Sequence, residues 1–384
     1  MEIDVLELKF KEIYGREAEH LYFAPGRVNL IGEHIDYNGG RVFPCALSFG
    51  TYLLVARRKD KRIAFASMNQ SFRGEYDRNV FQCKPEEWVK YPLGVVKEFA
   101  DRGFEPWGFD ILYFGDIPGG AGLSSSASIE VVTAFMLNDL LSAGLEVVEL
   151  VKMSQRAENV FVGMNCGIMD QFAVGMGKKE HAIALDCGTL EYDLIPLNIN
   201  GYKLVITNSN KKHDLVTSEY NVRRDQCEQA LAAIDKEIDI KHLCDLNEEE
   251  LERVRHLLPD ETVYRRARHA VTENARVKEA IEVLQKGNLI RFGELMNESH
   301  RSLKEDYEVT GREMDILAEE GQKLSGVLGS RITGGGFGGC TVSLVKEENV
   351  PGFIEKLGMI YHDETGLRAE FYVADIGDGV RKIY

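Results

Sequence analysis

The spacing of apolar and polar residues divides the chain into helices and strands. Apolar residues that recur three and four positions apart predict amphipathic helices, and apolar or alternating runs of five or more residues predict strands. The helices predicted in this way cover residues 5–14, 88–100, 129–137, 147–162, 216–234, 264–284, 289–304, 313–324 and 350–361. The predicted strands cover residues 42–55, 62–68, 109–114, 181–185, 202–207, 341–345 and 369–374.

Strands and helices do not alternate regularly along the chain, so the order of elements does not favour a doubly wound parallel sheet. We predict an α+β fold with two mixed lobes that share a cleft. The first lobe covers residues 1–190 and the second, richer in helices, covers residues 191–384. Residues 192–200, just after this division, fit either a linker or a strand.

The composition argues against several classes of protein. A net charge of −16 argues against non-specific binding of DNA or RNA, because the phosphate backbone would be repelled. No apolar run approaches the roughly 20 residues that a membrane span needs, and the acidic N-terminus has no signal core. The seven cysteines are scattered and odd in number, which favours free thiols in the cytosol over disulfides or a zinc site.

A loop of glycines and serines over residues 118–128 lies between a buried strand and a helix. Such a loop can bind an anion, since its N–H groups converge and the helix end adds partial positive charge. The residues alone also fit a plain turn between a strand and a helix. No stretch matches the common nucleotide-binding pattern GxxxxGK[ST].

A second glycine-rich stretch, GGGFGG, covers residues 334–339. It fits the spacing GxGxxG, but the residues that follow it form a strand rather than the helix that a dinucleotide-binding motif requires. We predict a tight loop between two strands, which packs against a ligand or another loop. A plain glycine turn is the alternative.

Polar residues that could carry chemistry lie in three other places. Glu33, His34 and Asp36 lie within four positions and fit a metal site, a sugar site or a solvated turn. Asp170 has apolar neighbours, and a buried carboxylate must be paired or functional. Glu158 lies on the preceding predicted helix, where a glutamate is ordinarily exposed, and a tyrosine at 220 is ordinarily a core or surface residue.

With these residues in view, the chain resembles the galactokinases, in the superfamily of galacto-, homoserine, mevalonate and phosphomevalonate (GHMP) kinases. Residues 26–37 (GRVNLIGEHIDY) are similar to the galactokinase sugar signature, and residues 122–127 (GLSSSA) to the superfamily phosphate loop. Residues 334–339 are similar to the third motif of the superfamily. Further galactokinase-like segments are CGIMDQF at 166–172, RRARH at 265–269 and MNESH at 296–300.

The resemblance implies an N-terminal lobe like the second domain of ribosomal protein S5, a ferredoxin-like C-terminal lobe, and an active site between them. It implies ATP as co-substrate and Mg²⁺ as cofactor, with the metal held by Ser126 and Glu158. Asp170 would meet the sugar C1 hydroxyl, and Arg27 would hold Asp170 ionised and offset charge on the transferring phosphoryl group. The other sugar ligands would be Glu33, His34, Asp36, Gly167 and Tyr220. The nucleotide would be held by Gly119, Gly120, Ala121, Gly122, Leu123, Ser124, Ser125, Ser126 and Ala127.

The implied reaction is the ATP-dependent phosphorylation of α-D-galactose at its C1 hydroxyl, by a cytoplasmic monomer without nucleic-acid or membrane partners. One alternative is the 1-kinase of a related sugar, such as N-acetylgalactosamine or arabinose. Another is a non-catalytic sensor of galactose and ATP. Sensors in this family lack a Ser-Ala pair in the serine loop, whereas Ser126 and Ala127 are present here.

Overall fold

The computed structural model describes residues 2–82, 88–118, 121–211 and 216–384. Within them the α-helices are α1 (Ile3–Tyr14), α2 (Lys90–Asp101), α3 (Ser125–Leu140), α4 (Val147–Arg156), α5 (Met169–Met176), α6 (Val216–Ile234), α7 (Glu248–Val254), α8 (Glu261–Gln285), α9 (Leu289–Ser302), α10 (Arg312–Lys323) and α11 (Val350–Thr365). The strands are β1 (His20–Asn29), β2 (Arg41–Val42), β3 (Pro44–Arg57), β4 (Ile63–Ser67), β5 (Gly74–Tyr76), β6 (Phe109–Gly115), β7 (His181–Asp186), β8 (Tyr192–Pro196), β9 (Tyr202–Asn208), β10 (Val327–Thr333), β11 (Cys340–Lys346), β12 (Glu370–Ala374) and β13 (Arg381–Lys382).

Three sheets organise these elements. The largest has six strands in the order β13-β1-β3-β6-β4-β5, in which only the β4–β6 pair is parallel within the described residues. A four-stranded antiparallel sheet has the order β10-β11-β9-β12. A small antiparallel sheet has the order β2-β7-β8.

Two large cores hold the fold together. In one, α2, α3 and α4 pack on the six-stranded sheet through residues such as Phe99, Phe109 and Val131. The other core joins the two halves of the chain, since it includes both Phe172 of α5 and Phe292 of α9. The burial of this shared apolar surface fixes the position of the second half of the chain against the first.

Helix ends follow ordinary capping chemistry. The N-cap Asp260 of α8 accepts a hydrogen bond from the Val263 N–H at 2.9 Å. Helix α7 begins with a reciprocal capping box between Asn247 and Glu250, which satisfies two N–H groups that the first turn leaves unpaired. Gly15 ends α1 in the left-handed conformation, with φ of 71°, which glycine adopts without strain.

The predicted helices and strands are present, and the α+β prediction is confirmed. Several boundaries were wrong; helix α11, for example, ends at Thr365 rather than at residue 361. Helix α3 begins at Ser125, four residues before the predicted start, because the serines that suggested a loop continue into the first helical turn. Helix α4 ends at Arg156 and continues as a π-helical turn, Ala157–Val162. The ambiguous stretch after residue 190 contains strand β8.

Two pairings cross the predicted division at residue 190. Strand β8 pairs with β7, and the C-terminal strand β13 returns to the first sheet beside β1. The division into residues 1–190 and 191–384 stays a prediction. Among the described residues, no helix is long and apolar enough to cross a membrane.

Candidate active site

A cleft of about 720 Å³ lies where three loops meet. We call them the sugar loop (residues 30–38, after β1), the serine loop (residues 121–126, before and into α3) and the glycine loop (residues 334–339, between β10 and β11). Most of the residues predicted to be functional line this cleft: Arg27, Glu33, His34, Asp36, Gly122, Leu123, Ser124, Ser125, Ser126, Glu158, Gly167, Asp170 and Tyr220. Ala121 and Ala127 are buried behind it, and Gly119 and Gly120 lie outside the described residues.

A β-bulge turns Arg27 towards the cleft. The register between β1 and β3 shifts between Pro25 and Arg27, and bulges of this kind re-aim a side chain. The Arg27 backbone N–H donates to the Leu123 carbonyl at 3.2 Å, and its Nη1 donates to the Gly122 carbonyl at 2.7 Å. Strand β1 and the serine loop are therefore bonded directly to each other.

Arg27 also holds Asp170, the second residue of α5. Its Nε and Nη2 atoms donate to the two carboxylate oxygens of Asp170 at 2.8 Å each. The arginine is 3% exposed, whereas the Asp170 side chain keeps 30% of its surface. This bidentate pair fixes the orientation of a carboxylate that is still accessible from the cleft.

Ser124 adds a third hydrogen bond to this carboxylate. Its backbone lies in the left-handed region with φ of 63°, and its side chain does not cap α3. Instead the Ser124 hydroxyl donates to Asp170 Oδ2 at 2.6 Å. A residue predicted to bind nucleotide therefore also orients the predicted catalytic aspartate.

The rest of the serine loop presents the N-terminus of α3 to the cleft. The first-turn N–H groups of a helix have no partner within it, and they carry partial positive charge. Ser125 and Ser126 belong to this turn and line the cleft. The arrangement suits an anion such as a phosphate group.

The glycine loop packs on the serine loop, and its predicted place between two strands is confirmed. A Cβ on Gly334 would lie 2.7 Å from the Gly122 carbonyl oxygen, and one on Gly339 would lie 3.3 Å from that of Ala121. Gly334 also has φ of 82°. Glycine is needed there both for its backbone conformation and for the close approach of the two loops.

Two buried carboxylates lie beside the first turn of α3. Burial, reinforced by the charge of Asp170, raises the pKa of Glu158, and a hydrogen bond from Ser126 opposes this rise. Gln171 Nε2 donates to Glu158 Oε2 at 2.7 Å and to Glu130 Oε2 at 3.2 Å. Glu130 is fully buried, and its Oε1 has no hydrogen-bond partner.

This donor set suits a divalent cation. Hard cations such as Mg²⁺ prefer carboxylate and hydroxyl oxygens, which Glu158 and Ser126 supply. Burial raises the pKa of both Glu158 and Glu130 and so disfavours their charged forms, and a cation would stabilise the ionised carboxylates there. The residues present therefore fit the metal that the resemblance implies.

Asp36 also lines the cleft, close to the loop before α5. Its Oδ2 accepts a hydrogen bond from the Met169 N–H at 3.4 Å. A Cβ at position 167 would overlap the Asp36 carboxylate, so only glycine allows this approach. Burial and, next, the charge of Asp170 raise the pKa of Asp36 to about 6.

Glu33 and His34 are held tightly by the glycine loop. Glu33 accepts hydrogen bonds from the Gly334 N–H at 2.7 Å and from Asn29 Nδ2 at 2.8 Å. The ring nitrogens of His34 lie 2.9 Å from the Tyr37 hydroxyl and 3.2 Å from the Gly335 carbonyl. The ring of Tyr220 packs at 5.3 Å from that of His34. The predicted sugar residues therefore form one cluster.

Sequence reasoning missed several residues of the site. The buried Glu130 shares the Gln171 amide with Glu158 and lies four residues after Ser126, on the same face of α3. An acid among the apolar residues of this helix was the available signal. Lys211 lines the cleft and forms an ion pair with Glu313 at 2.5 Å. It belongs to no motif, so the sequence offered no signal for it. Asn208, Asn210, Cys166 and Glu370 also line the cleft.

Comparison with known proteins shows which family the chain belongs to. A family model described as "Galactokinase galactose-binding signature" matches residues 8–57. Models of the GHMP kinase N-terminal and C-terminal domains match residues 90–178 and 280–358. A galactokinase of Fusobacterium nucleatum is 53% identical over 97% of this chain and 98% of its own length.

The chain belongs to the galactokinase family. A galactokinase of Bacillus subtilis is 50% identical over 98% of each chain. The crystal structure of Lactococcus lactis galactokinase complexed with galactose superposes with a TM-score of 0.97 and 44% identity, covering 99% of this chain and all of that one. A mevalonate kinase structure, 20% identical with a TM-score of 0.64, shares the fold alone. The predicted GHMP kinase fold of this galactokinase family member is thus confirmed.

Proposed function

We propose that this protein transfers the γ-phosphoryl group of ATP to the C1 hydroxyl of α-D-galactose. The observation that carries the proposal is the bidentate Arg27–Asp170 pair, which lies between the sugar loop and the serine loop. An accessible carboxylate is thereby placed between a polar pocket for a sugar and an anion site for a nucleotide. Membership of the galactokinase family supports the same reaction.

Asp170 acts on the sugar hydroxyl. A hydroxyl is a poor nucleophile at neutral pH, and a positioned carboxylate that accepts its proton accelerates transfer by about 10²–10⁴-fold. Arg27 orients the carboxylate and offsets negative charge on the phosphoryl group in transit. Phosphoryl transfer depends mainly on such positioning and charge stabilisation.

The sugar binds among the residues of the sugar loop and the segment before α5. Glu33 and Asp36 accept hydrogen bonds from its hydroxyls, since a carboxylate oxygen that already accepts one bond keeps a second lone pair. Gly167 lets the sugar approach the backbone, and Tyr220 and His34 form the adjoining wall. Because buried carboxylates are costly when a hydroxyl partner is missing, this pocket rejects the wrong epimer.

ATP is held by the serine loop, and Mg²⁺ by Ser126 and Glu158. The metal, when bound, neutralises charge on the phosphate oxygens. The N-terminal turn of α3 supplies N–H donors to the phosphates, and Gly119 and Gly120 remain in the proposed nucleotide site. The cofactor proposal rests on the buried oxygens of Glu158 and Glu130, of which Glu130 Oε1 has no hydrogen-bond partner.

We further propose that the protein works as a monomer in the cytoplasm, on small molecules rather than nucleic acid or membrane. The cysteines among the described residues are all free thiols, which suits a reducing compartment. ATP and phosphorylated sugars are both found in that compartment.

A coupled assay of ADP release tests the proposal. Purified protein with ATP and Mg²⁺ is offered galactose, N-acetylgalactosamine, arabinose and glucose. The account predicts turnover with galactose at the highest kcat/KM. A preference for another sugar of the panel would identify a related 1-kinase, and binding of galactose and ATP without ADP release would identify a sensor.

A further inference from the structure

A chain of buried hydroxyl and thiol groups leads away from His34 into the second half of the molecule. Tyr37 OH lies 2.9 Å from His34 Nδ1, and Tyr307 OH lies 2.8 Å from Tyr37 OH. Cys227 Sγ lies 3.1 Å from Tyr307 OH. At the other end, His34 Nε2 lies 3.2 Å from the Gly335 carbonyl oxygen. We call these five residues the relay.

The direction of every hydrogen bond in the relay is fixed. A carbonyl oxygen only accepts, so His34 Nε2 carries the hydrogen and donates to Gly335. Burial lowers the pKa of His34 to about 3, so the ring is neutral and its Nδ1 accepts. Tyr37 must then donate to His34, Tyr307 to Tyr37, and Cys227 to Tyr307, because each has one hydrogen.

The relay joins four separate parts of the chain. Cys227 is on α6, and Tyr307 ends the π-helical turn that follows α9. Tyr37 and His34 belong to the sugar loop, and Gly335 belongs to the glycine loop. The ring of Tyr307 also lies between two imidazoles, at 4.9 Å from His34 and 4.5 Å from His269.

The relay also bears on backbone strain in the sugar loop. His34 has φ of 62°, a conformation that costs non-glycine residues about 1–3 kcal/mol and persists only where surrounding contacts enforce it. The contacts to the His34 ring help to enforce it, together with the hydrogen bond from Asn38 Nδ2 to the His34 carbonyl at 2.9 Å. Glu33 and Asp36, the carboxylates proposed to bind the sugar, flank this strained residue.

We propose that Tyr307 and Tyr37 are positioning residues that hold the sugar loop in its galactose-binding conformation through His34. The inference rests on the proposed function, and neither tyrosine is among the residues that line the cleft. Removal of either tyrosine hydroxyl should then weaken the binding of galactose and leave the binding of ATP unchanged. Galactose binding depends on the relay, whereas the serine loop that binds ATP is held by Arg27.

The substitution Tyr307→Phe tests this role, since it keeps the ring and removes the hydroxyl that links Tyr37 to Cys227. We expect the KM for galactose to rise about tenfold, as for the loss of one buried hydrogen bond. The KM for ATP and the kcat should each change less than about twofold. The reason is that the variant loses galactose binding equally in the ground state and in the transition state. Isothermal titration with galactose should show the same loss of affinity.

The matched control is Tyr113→Phe, which removes an equally buried hydroxyl that bonds Thr133 at 2.8 Å in the core between β6 and α3. We expect this variant to lose stability with an unchanged KM for galactose. If Tyr307→Phe behaves in the same way, the relay is merely structural and the inference is wrong.

A second variant, Tyr37→Phe, keeps the inference falsifiable if Tyr307→Phe does not fold, since it breaks the same chain at His34 and should by itself raise the KM for galactose about tenfold. Where both single variants fold, the double variant should raise this KM no more than the larger single effect, because both hydroxyls act through one chain. Additive effects would contradict a shared relay. A wild-type protein that does not phosphorylate galactose would refute the proposed function instead, whatever the variants do.

Discussion

The guanidinium group of Arg27 donates parallel hydrogen bonds to both carboxylate oxygens of Asp170, at 2.8 Å each. The two residues are far apart in sequence, and a β-bulge in β1 brings them together. We therefore expect Asp170→Asn, which loses the negative charge and one acceptor, to lower kcat by about 10²–10⁴-fold. Circular dichroism should show a folded protein, and near-normal turnover would refute the assignment.

Ser124 should affect catalysis rather than folding. The substitution Ser124→Ala removes the 2.6 Å hydrogen bond to Asp170, and we expect kcat to fall about tenfold, as for a hydrogen bond to a charged group. The matched control is Ser128→Ala, whose hydroxyl bonds the Ala24 carbonyl and Thr51 in the core. That variant should lose about 1 kcal/mol of stability and keep its kcat. Equal effects on kcat would contradict the role of Ser124.

Glu158 should determine the metal requirement. We expect Glu158→Gln to raise the Mg²⁺ concentration for half-maximal activity at least tenfold, because a ligand charge is lost. Mn²⁺ binding followed by electron paramagnetic resonance should weaken in parallel. Glu149→Gln is the control, since Glu149 lies on α4 and, among the described residues, forms an exposed ion pair with Lys152 at 2.8 Å. An unchanged metal dependence in Glu158→Gln would place the metal elsewhere.

Gly167 should be intolerant of any side chain. A Cβ there would displace the Asp36 carboxylate, so Gly167→Ala should raise the KM for galactose by about tenfold or more. Gly352→Ala is the control, because a Cβ at that position in α11 meets nothing within 4 Å. Unchanged sugar kinetics in Gly167→Ala would show that Asp36 does not bind the sugar.

The raised pKa of Asp36, about 6, predicts a pH dependence. Below about pH 6 the carboxyl group becomes protonated and loses acceptor capacity, so the KM for galactose should rise as the pH falls from about 7 to 5. Because the pKa in the folded state is raised, this group's contribution to stability is largest below its unfolded pKa and is lost as the pH rises towards about 6. In Asp36→Asn the pH dependence of the KM for galactose should disappear. If it persists, a group other than Asp36 causes this pH dependence.

Much of the fold follows from local pattern. Long amphipathic helices such as α8 and alternating strands such as β9 have strong periods, so the sequence predicted them within a few residues. The start of α3 was misplaced because serine favours caps and turns, whereas here Ser125 and Ser126 lie inside the helix. Strand β13 has only two residues, too few to show a pattern.

The candidate site was predicted mainly through motifs, and the contacts outside them were not predicted. Tyr307 and Glu130 resemble ordinary core positions in sequence, and only the fold brings them to His34 and Glu158. The link between Ser124 and Asp170 was also missed, because a hydrogen bond between residues 46 positions apart leaves no trace in local spacing.

Phosphorus NMR of the reaction mixture tests the central claim most directly. Protein, ATP, Mg²⁺ and galactose should give stoichiometric ADP and a sugar phosphate whose coupling to the anomeric proton places the phosphate on C1. The same mixture with Asp170→Asn should form both products far more slowly than the wild-type protein does. ADP without a sugar phosphate, or a phosphate on another hydroxyl, would contradict the account.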